Sequence, residues 1–366
     1  MAMKPIIQIE PWIDNSELEV LKEVINSTFV TESSLTKKFE AITSEYTKSK
    51  FSIAVCNGTC ALFCALKAIG LNEDEEVIVP NLTFISTATS VLLAGGKVRL
   101  VDVDPRTCCI DQKSLLNAIN KKTKAIIPVH LYGISCEMDE IMSISNKYKI
   151  DVIEDAAQGV GVKYKNKHVG TFGAFGVLSY YGNKTITTGE GGIVLTSKIK
   201  SAEKIYMLKN HGRQKKGTFI HETLGWNFSF TEMQAALGIS QMQKLERIIK
   251  KKYYIYRSYV DGVNNPKLNI TLVPDSTTHP VHWFTNIYCD SACKLESYLR
   301  KKNIPTRRLF YPLNKQPCLV SDERILNTEN SFFGADTAYN KILSLPSSVL
   351  LDDEQIKYII KAINSY

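Results

Sequence analysis

Ser179-Tyr180-Tyr181-Gly182-Asn183-Lys184-Thr185-Ile186-Thr187-Thr188-Gly189-Glu190-Gly191-Gly192 places a single lysine between a hydroxyl-bearing strand end and a glycine-rich run. Phe175, Val177 and Leu178 before it read as a buried strand, and from Ser179 onward the side chains become small and hydroxylated. A lysine kept for solvation belongs on a polar helix face, whereas Lys184 stands at this apolar boundary. A desolvated amine has a lowered pKa and attacks a carbonyl as the free base. Upstream, Asp151-Val152-Ile153-Glu154-Asp155-Ala156-Ala157-Gln158 closes another apolar strand with an acid. Such an acid suits a pyridinium nitrogen, with an ordinary salt bridge as its plainer alternative. Together the two segments point to pyridoxal 5'-phosphate.

The surrounding pattern sets the fold. Ser16-x-x-Glu19 reads as a capping box, with Leu18, Leu21, Val24 and Ile25 then repeating at helical spacing over residues 16–28. Leu35, Phe39, Ile42 and Tyr46 mark a second helix. From residue 51 short apolar strands alternate with helices: strands at 51–56, 77–79, 98–101, 125–129 and 152–154, helices at 59–69, 86–93 and 137–148. That alternation predicts an α/β fold with a mainly parallel, doubly wound sheet covered on both faces. Ligands of such sheets sit at the carboxyl ends of the strands, where Asn57-Gly58-Thr59 and Asp155 fall. Thr231-x-x-Gln234 opens a long helix leading toward a second unit, and residues beyond about 260 carry more prolines and short apolar runs. The expected division is a large cofactor-binding domain over residues 1–240 and a smaller α+β C-terminal domain over 241–366.

Composition narrows the function classes. A chain of 366 residues with 44% hydrophobic and 22% charged content is that of an ordinary globular protein long enough for two domains. Met1 to Glu10 lacks the apolar core of a signal peptide and no later run has membrane-spanning length, so the expected address is cytoplasmic, without membrane contact. The nine cysteines show no paired spacing of a zinc site, and they are read as small core residues with no metal. A net charge of +8 raises nucleic acid as a partner, but the lysines are scattered. The one run, Lys250-Lys251-Lys252, reads as a solvated helix face. An anionic small substrate accounts for the charge as well, and the aromatic–basic interleaving of a nucleic-acid module is missing.

Gly58-Thr59 follows a strand and begins a helix, so its amides and the helix dipole suit a phosphate dianion; a plain helix cap is the commoner meaning of Asn-Gly-Thr. Ser179, five residues before Lys184, is a further hydroxyl for the same phosphate. Phe84 in Asn81-Leu82-Thr83-Phe84 reads on its own as a core residue, and His130 and His211 have no metal-binding neighbours.

Asn57-Gly58-Thr59-Cys60-Ala61-Leu62, Glu154-Asp155-Ala156-Ala157-Gln158, Gly182-Asn183-Lys184-Thr185-Ile186 and Gly225-Trp226-Asn227-Phe228 occur in order and at fitting separations. In these the chain resembles the DegT/DnrJ/EryC1/StrS sugar aminotransferases, from about Ile9 to the C-terminus. The resemblance implies the type I fold of pyridoxal-phosphate enzymes, that of aspartate aminotransferase. It implies Lys184 as the lysine that bonds the cofactor and shuttles the proton. Asp155 would face the ring nitrogen, Gln158 the ring hydroxyl and Phe84 the ring face, with Gly58, Thr59 and Ser179 on the phosphate. Asn227 would reach the phosphate in the neighbouring subunit, which makes the expected assembly a homodimer with shared active sites.

The implied reaction moves an amino group from an amino acid, by analogy L-glutamate, through pyridoxamine phosphate to a keto sugar. The acceptor expected is C4 of a nucleotide-linked 4-keto-6-deoxyhexose, on a route to amino-sugar polysaccharides. Ser229 stands where an arginine is usual and Asn314 where a histidine is common, which leaves a small phosphorylated ketone as the rival acceptor. The dehydratase branch replaces the lysine with histidine, so Lys184 argues against it. A pyridoxal-phosphate-binding regulatory protein without turnover is the rival outside enzymes, and the joint presence of Lys184, Asp155 and Gln158 disfavours it.

Overall fold

A computed structural model describes residues 4–214, 217, 219–271 and 273–366. Helices α1 (Asn15–Ser27) and α2 (Ser34–Thr47) precede strand β1 (Phe51–Val55), α3 (Gly58–Ala68), β2 (Glu76–Pro80), α4 (Ser86–Ala94) and β3 (Lys97–Val101). Then come α5 (Gln112–Ala118), β4 (Thr123–Ile126), α6 (Met138–Tyr148), β5 (Asp151–Asp155), and the short β6 (Lys163–Tyr164) and β7 (Lys167–His168). They are followed by β8 (Phe175–Ser179), β9 (Gly192–Thr196), α7 (Ile199–Lys209) and the long α8 (Glu232–Gly262). The remainder comprises β10 (Asn269–Ile270), β11 (Thr277–His279), β12 (Asn286–Tyr288), α9 (Ala292–Arg300) and β13 (Arg307–Arg308). Last are β14 (Ile325–Asn327), α10 (Phe333–Lys341), β15 (Ile342–Ser344) and α11 (Asp353–Asn364).

Eight strands form the main sheet in the order β1-β9-β8-β5-β4-β2-β3-β14. All neighbours from β8 to β14 are parallel, while β9 runs antiparallel to both β1 and β8. The strands are apolar on both faces because both are covered. In β2, Val77 and Val79 pack in one core with Leu62, Ala65, Ala88 and Val91 from α3 and α4. Ile78, pointing the other way, packs with Leu115 and Ile141 from α5 and α6. The expected doubly wound α/β layering is the layering observed. A third core, with Ile255, Tyr259, Ile287, Leu295, Leu343, Ile359 and Ile363, lies in the C-terminal part. There β10-β12-β15-β13 form a separate antiparallel sheet. Residue 240 falls inside α8, and β14 from beyond it pairs in register with β3, Ile325 opposite Val98.

Several local expectations change. The cap of α1 is Asp14, whose carboxylate accepts the Ser16 amide, and its box partner is Glu17 rather than the expected Ser16 and Glu19. Glu17 is drawn inward because Lys244, Gln241 and Ser240 of α8 converge on its carboxylate at 2.6–2.9 Å. That rotation leaves Leu18 and Ile25 exposed. The Thr231/Gln234 box of α8 is present as read. Along α8, however, Lys252 does not share the solvated face of Lys250; it is buried, at 3% exposure. Helix α5 has only seven residues, too few for the sequence pattern to announce. Among the described residues no helix is long and apolar enough to cross a membrane.

Candidate active site

Strands β5 and β8 lie side by side in the sheet, and both end where the site begins. In β5 the alternation of the pleat separates two neighbouring acids. Glu154 points into a structural nest, accepting the Gly170, Phe172 and Gly173 amides at 2.6–2.8 Å and pairing with His130 Nε2 at 3.1 Å. His130 is thereby occupied structurally, since its Nδ1 also accepts the Cys136 amide. Asp155 faces the opposite way, into a cavity of about 410 Å³. Its Oδ2 accepts the Thr87 hydroxyl at 2.8 Å and its Oδ1 the Ala157 amide at 3.2 Å. Burial dominates these bonds and raises the Asp155 carboxyl above its usual range.

Across the cavity, Lys184 sits in the turn after β8, its amide bonded to the Tyr181 carbonyl at 2.9 Å. Its Nζ lies 4.3 Å from the centre of the Trp283 ring. The Trp283 indole N–H donates to the Asn183 carbonyl at 2.7 Å, holding the ring against the lysine's own loop. Burial pushes the Lys184 amine down to about 8; Asp155 opposes that shift and Arg307 adds to it. A substantial free-base fraction at neutral to mildly alkaline pH follows.

The phosphate end is built by α3. Asn57 caps the helix with its side chain on the Cys60 amide at 2.9 Å. The first-turn amides that follow have no partner within their own helix, and Gly58 and Thr59 line the cavity. A methyl group on Gly58 would sit 3.1 Å from the Ser179 Cβ, so glycine lets Ser179 stand against the helix start. Gln158 accepts the Tyr132 amide at 2.7 Å through Oε1, and among the described residues its Nε2 makes no hydrogen bond. Phe84 is not core: it is half exposed on the cavity wall, 5.6 Å from the Phe310 ring.

Gly58, Thr59, Phe84, Asp155, Gln158, Ser179 and Lys184 thus line one cavity. Asn227 does not: it is exposed, bridged to Asn210, with its side chain on the Ser229 amide at 3.3 Å. Nor do the departures Ser229 and Asn314 line it. Asn314 pairs reciprocally with the buried Asn81, its Oδ1 accepting the Asn81 side-chain amide at 2.9 Å and its N–H donating to Asn81 Oδ1 at 2.8 Å. The arrangement suits pyridoxal phosphate: an acid, a lowered-pKa amine, an aromatic wall and a helix start line one cavity of about 410 Å³.

A family model described as the DegT/DnrJ/EryC1/StrS aminotransferase family matches residues 11–364. The chain belongs to that family. The aminotransferase, dependent on pyridoxal phosphate, is 33% identical over 368 residues to a GDP-perosamine synthase of Escherichia coli O157:H7, covering 100% of this chain and 99% of that protein. It is 30% identical to the GDP-perosamine synthase of Vibrio cholerae, over 98% of each chain. An aminotransferase structure from Psychrobacter cryohalolentis superposes with a TM-score of 0.92 at 27% identity, covering 99% of this chain and 98% of that one.

Among the lining residues of the aminotransferase to which its sequence gives no role are Thr83, Trp283 and Arg307. The Arg307 guanidinium sits 5.7–5.9 Å from the rings of Trp283, Phe284 and Phe310, with no carboxylate partner among the described residues. Its one sequence signal was a basic pair, Arg307-Arg308, just before Phe310-Tyr311-Pro312.

Proposed function

We propose that the chain transfers the amino group of L-glutamate to C4 of a 4-keto-6-deoxyhexose carried on a nucleoside diphosphate. Lys184 and Asp155 lining one cavity, each within reach of the other's charge, is the observation that carries the site assignment. Gly58, Thr59 and Ser179 hold the cofactor phosphate, helped by the dipole of α3. With the cofactor bound, Asp155 would face the ring nitrogen, Gln158 the ring hydroxyl and Phe84 one ring face. The bound cofactor supplies a carbonyl for the incoming amine and a protonated ring that takes up electrons released at the donor's Cα. Asp155 keeps that ring nitrogen charged. Lys184, freed as the amine, takes the proton from the donor's Cα and returns one to the sugar's C4 side. Among the described residues Arg307 presents the only guanidinium lining the cavity, suited to the donor's carboxylate.

Support for the acceptor comes from the two GDP-perosamine synthases the chain resembles over its whole length and from its net charge of +8. Neither departure touches the cavity wall. The exposure of Asn227, outside its own chain's cavity, supports a role in a second subunit's site, with a cytoplasmic homodimer as the working unit. The test is rapid mixing of the aminated cofactor form of the enzyme with nucleotide-linked 4-keto sugars and with triose phosphates. Fast return of the aldehyde absorbance with the sugars is expected. Return only with a triose phosphate would overturn the acceptor and leave the transaminase intact.

A further inference from the structure

We propose that Lys252 is a positioning residue for the transamination: its side-chain nitrogen donates to the Trp283 carbonyl and so fixes the indole that faces the Lys184 amine. The proposal rests on the assignment of Lys184 above.

Lys252 is buried, yet among the described residues it has no carboxylate partner. Its Nζ donates to two backbone carbonyls only, Trp283 and Ser347, each at 3.2 Å. Burying an unpaired ammonium is costly, and an apolar side chain of similar length would fill the space without that cost. What the ammonium does there is tie α8 to two separate segments at once. The titratable group on which Lys252 acts is His282, whose ring stacks on Tyr256 at 3.6 Å. Burial, and next Lys252 itself, push the His282 imidazole down to about 3. At neutral pH it is uncharged and gives the ammonium no counter-ion. Burial likewise pushes Lys252 down to about 7, so near neutral pH it is shared between ammonium and amine, and either form has N–H donors for both carbonyls.

Trp283 is held from every side. Its amide donates to the Val281 carbonyl at 2.7 Å, its indole N–H to the Asn183 carbonyl, and its ring stacks 6.1 Å from Tyr132. The Val281 carbonyl in turn packs where a side chain on Gly133 would stand. Lys252 supplies the hold on the carbonyl side, toward the C-terminal part. The charges that act on Lys184 are Asp155 and Arg307, and Lys252 is not among them. The hydrogen-bonded link from Lys252 toward Lys184 is the Trp283 carbonyl, on the residue whose ring faces the Lys184 amine.

The test titrates the cofactor absorbance of the holoenzyme, which reports the protonation of the lysine nitrogen bonded to the cofactor. An aromatic face favours the cationic form, so Lys252→Met should lower the midpoint by about half a pH unit or more. Trp283→Leu should lower it at least as far, and the double variant should show no further fall. A buried lysine that merely stabilises the fold would change the melting temperature and leave the midpoint alone. An unshifted midpoint in either single variant, or a double variant whose shift is the sum of the two, would overturn the proposal. If Lys252→Met does not fold, Lys252→Gln, which keeps one donor on a shorter stem, should give a smaller shift of the same sign; no shift again overturns it. Borohydride reduction of the wild type serves as the control. Label on a lysine other than Lys184 would bring down the assignment beneath the proposal, whereas label on Lys184 with unmoved midpoints would sink the proposal alone.

Discussion

Asp155→Asn separates chemistry from stability. The carboxylate is 4% exposed, with the Thr87 hydroxyl on Oδ2 and the Ala157 amide on Oδ1. Asparagine keeps an oxygen for the stronger of these bonds, from Thr87, and turns an N–H₂ toward Ala157. Losing that second bond costs about 0.5–1.5 kcal/mol. Against this stands relief from burying a charge. Burial raises the Asp155 carboxyl, and a carboxyl raised on folding contributes stability below its unfolded pKa that is lost as pH climbs through the folded value. The contribution of Asp155 should thus fall as pH rises out of the acid range, so the stability of Asp155→Asn relative to the unloaded wild type should grow with pH. At pH 7.5 the variant's melting temperature without cofactor should equal or exceed that of the wild type. Catalysis should move the other way, because an amide cannot keep the ring nitrogen charged. Removing one preorganised electrostatic contact costs about 3–4 kcal/mol, or roughly 10²–10³-fold in rate. Single-turnover reaction with glutamate, at saturating cofactor, measures it. A rate within a few-fold of wild type would refute the role of Asp155, and a slow rate with a melting temperature lowered by several degrees would point to a collapsed site instead.

Other expectations follow from the same geometry. In the unloaded protein, capture of an aromatic aldehyde by Lys184 should rise with pH through about 8 and then level. Asp155 opposes the downward shift, so Asp155→Asn should move that midpoint lower still; a midpoint near the ordinary lysine value would show that the amine is not desolvated. Asn314→Ala keeps the backbone N–H to Asn81 Oδ1 but leaves the buried Asn81 Nδ2 without its acceptor, and urea unfolding should show a loss of about 1–3 kcal/mol; an unchanged urea midpoint would mean that this side-chain bond contributes nothing. Mixing inactive Lys184→Ala with impaired Asn227→Ala subunits should restore activity through one intact composite site per mixed dimer. No recovery despite proven subunit exchange would place Asn227 outside the neighbour's site.

The sequence displayed the parts of the site that lie on strand ends and their following turns, and little else. Asp155, Ser179, Lys184 and Gly58 were readable because each breaks an apolar strand at the carboxyl edge of a parallel sheet, where neighbouring strand ends converge by construction. Trp283 and Arg307 were not, since nothing local distinguishes an aromatic in a coil or one arginine of a pair from its surface equivalents. Only the packing of the C-terminal part over the sheet brings them to Lys184. Lys252 misled for a related reason. Three successive lysines occupy three directions around a helix, and on α8 one of those directions points inward. The cap of α1 was misplaced by two residues because Asp14 and Ser16 both offer oxygens, and the choice is settled by Lys244 and Gln241 of a distant helix.

The pairing of β14 with β3 has a consequence for how the chain is made. Until residues 325–327 leave the ribosome, the outer edge of β3 at Lys97–Val101 has no strand beside it. At about 5–20 residues per second, translating the intervening segment leaves that edge open for on the order of 10–50 seconds. An apolar parallel edge left open for so long is a template for another nascent chain. Expression in cells should therefore be sensitive to chaperone supply, and β3 is where a trapped, half-made chain would stick to its neighbour.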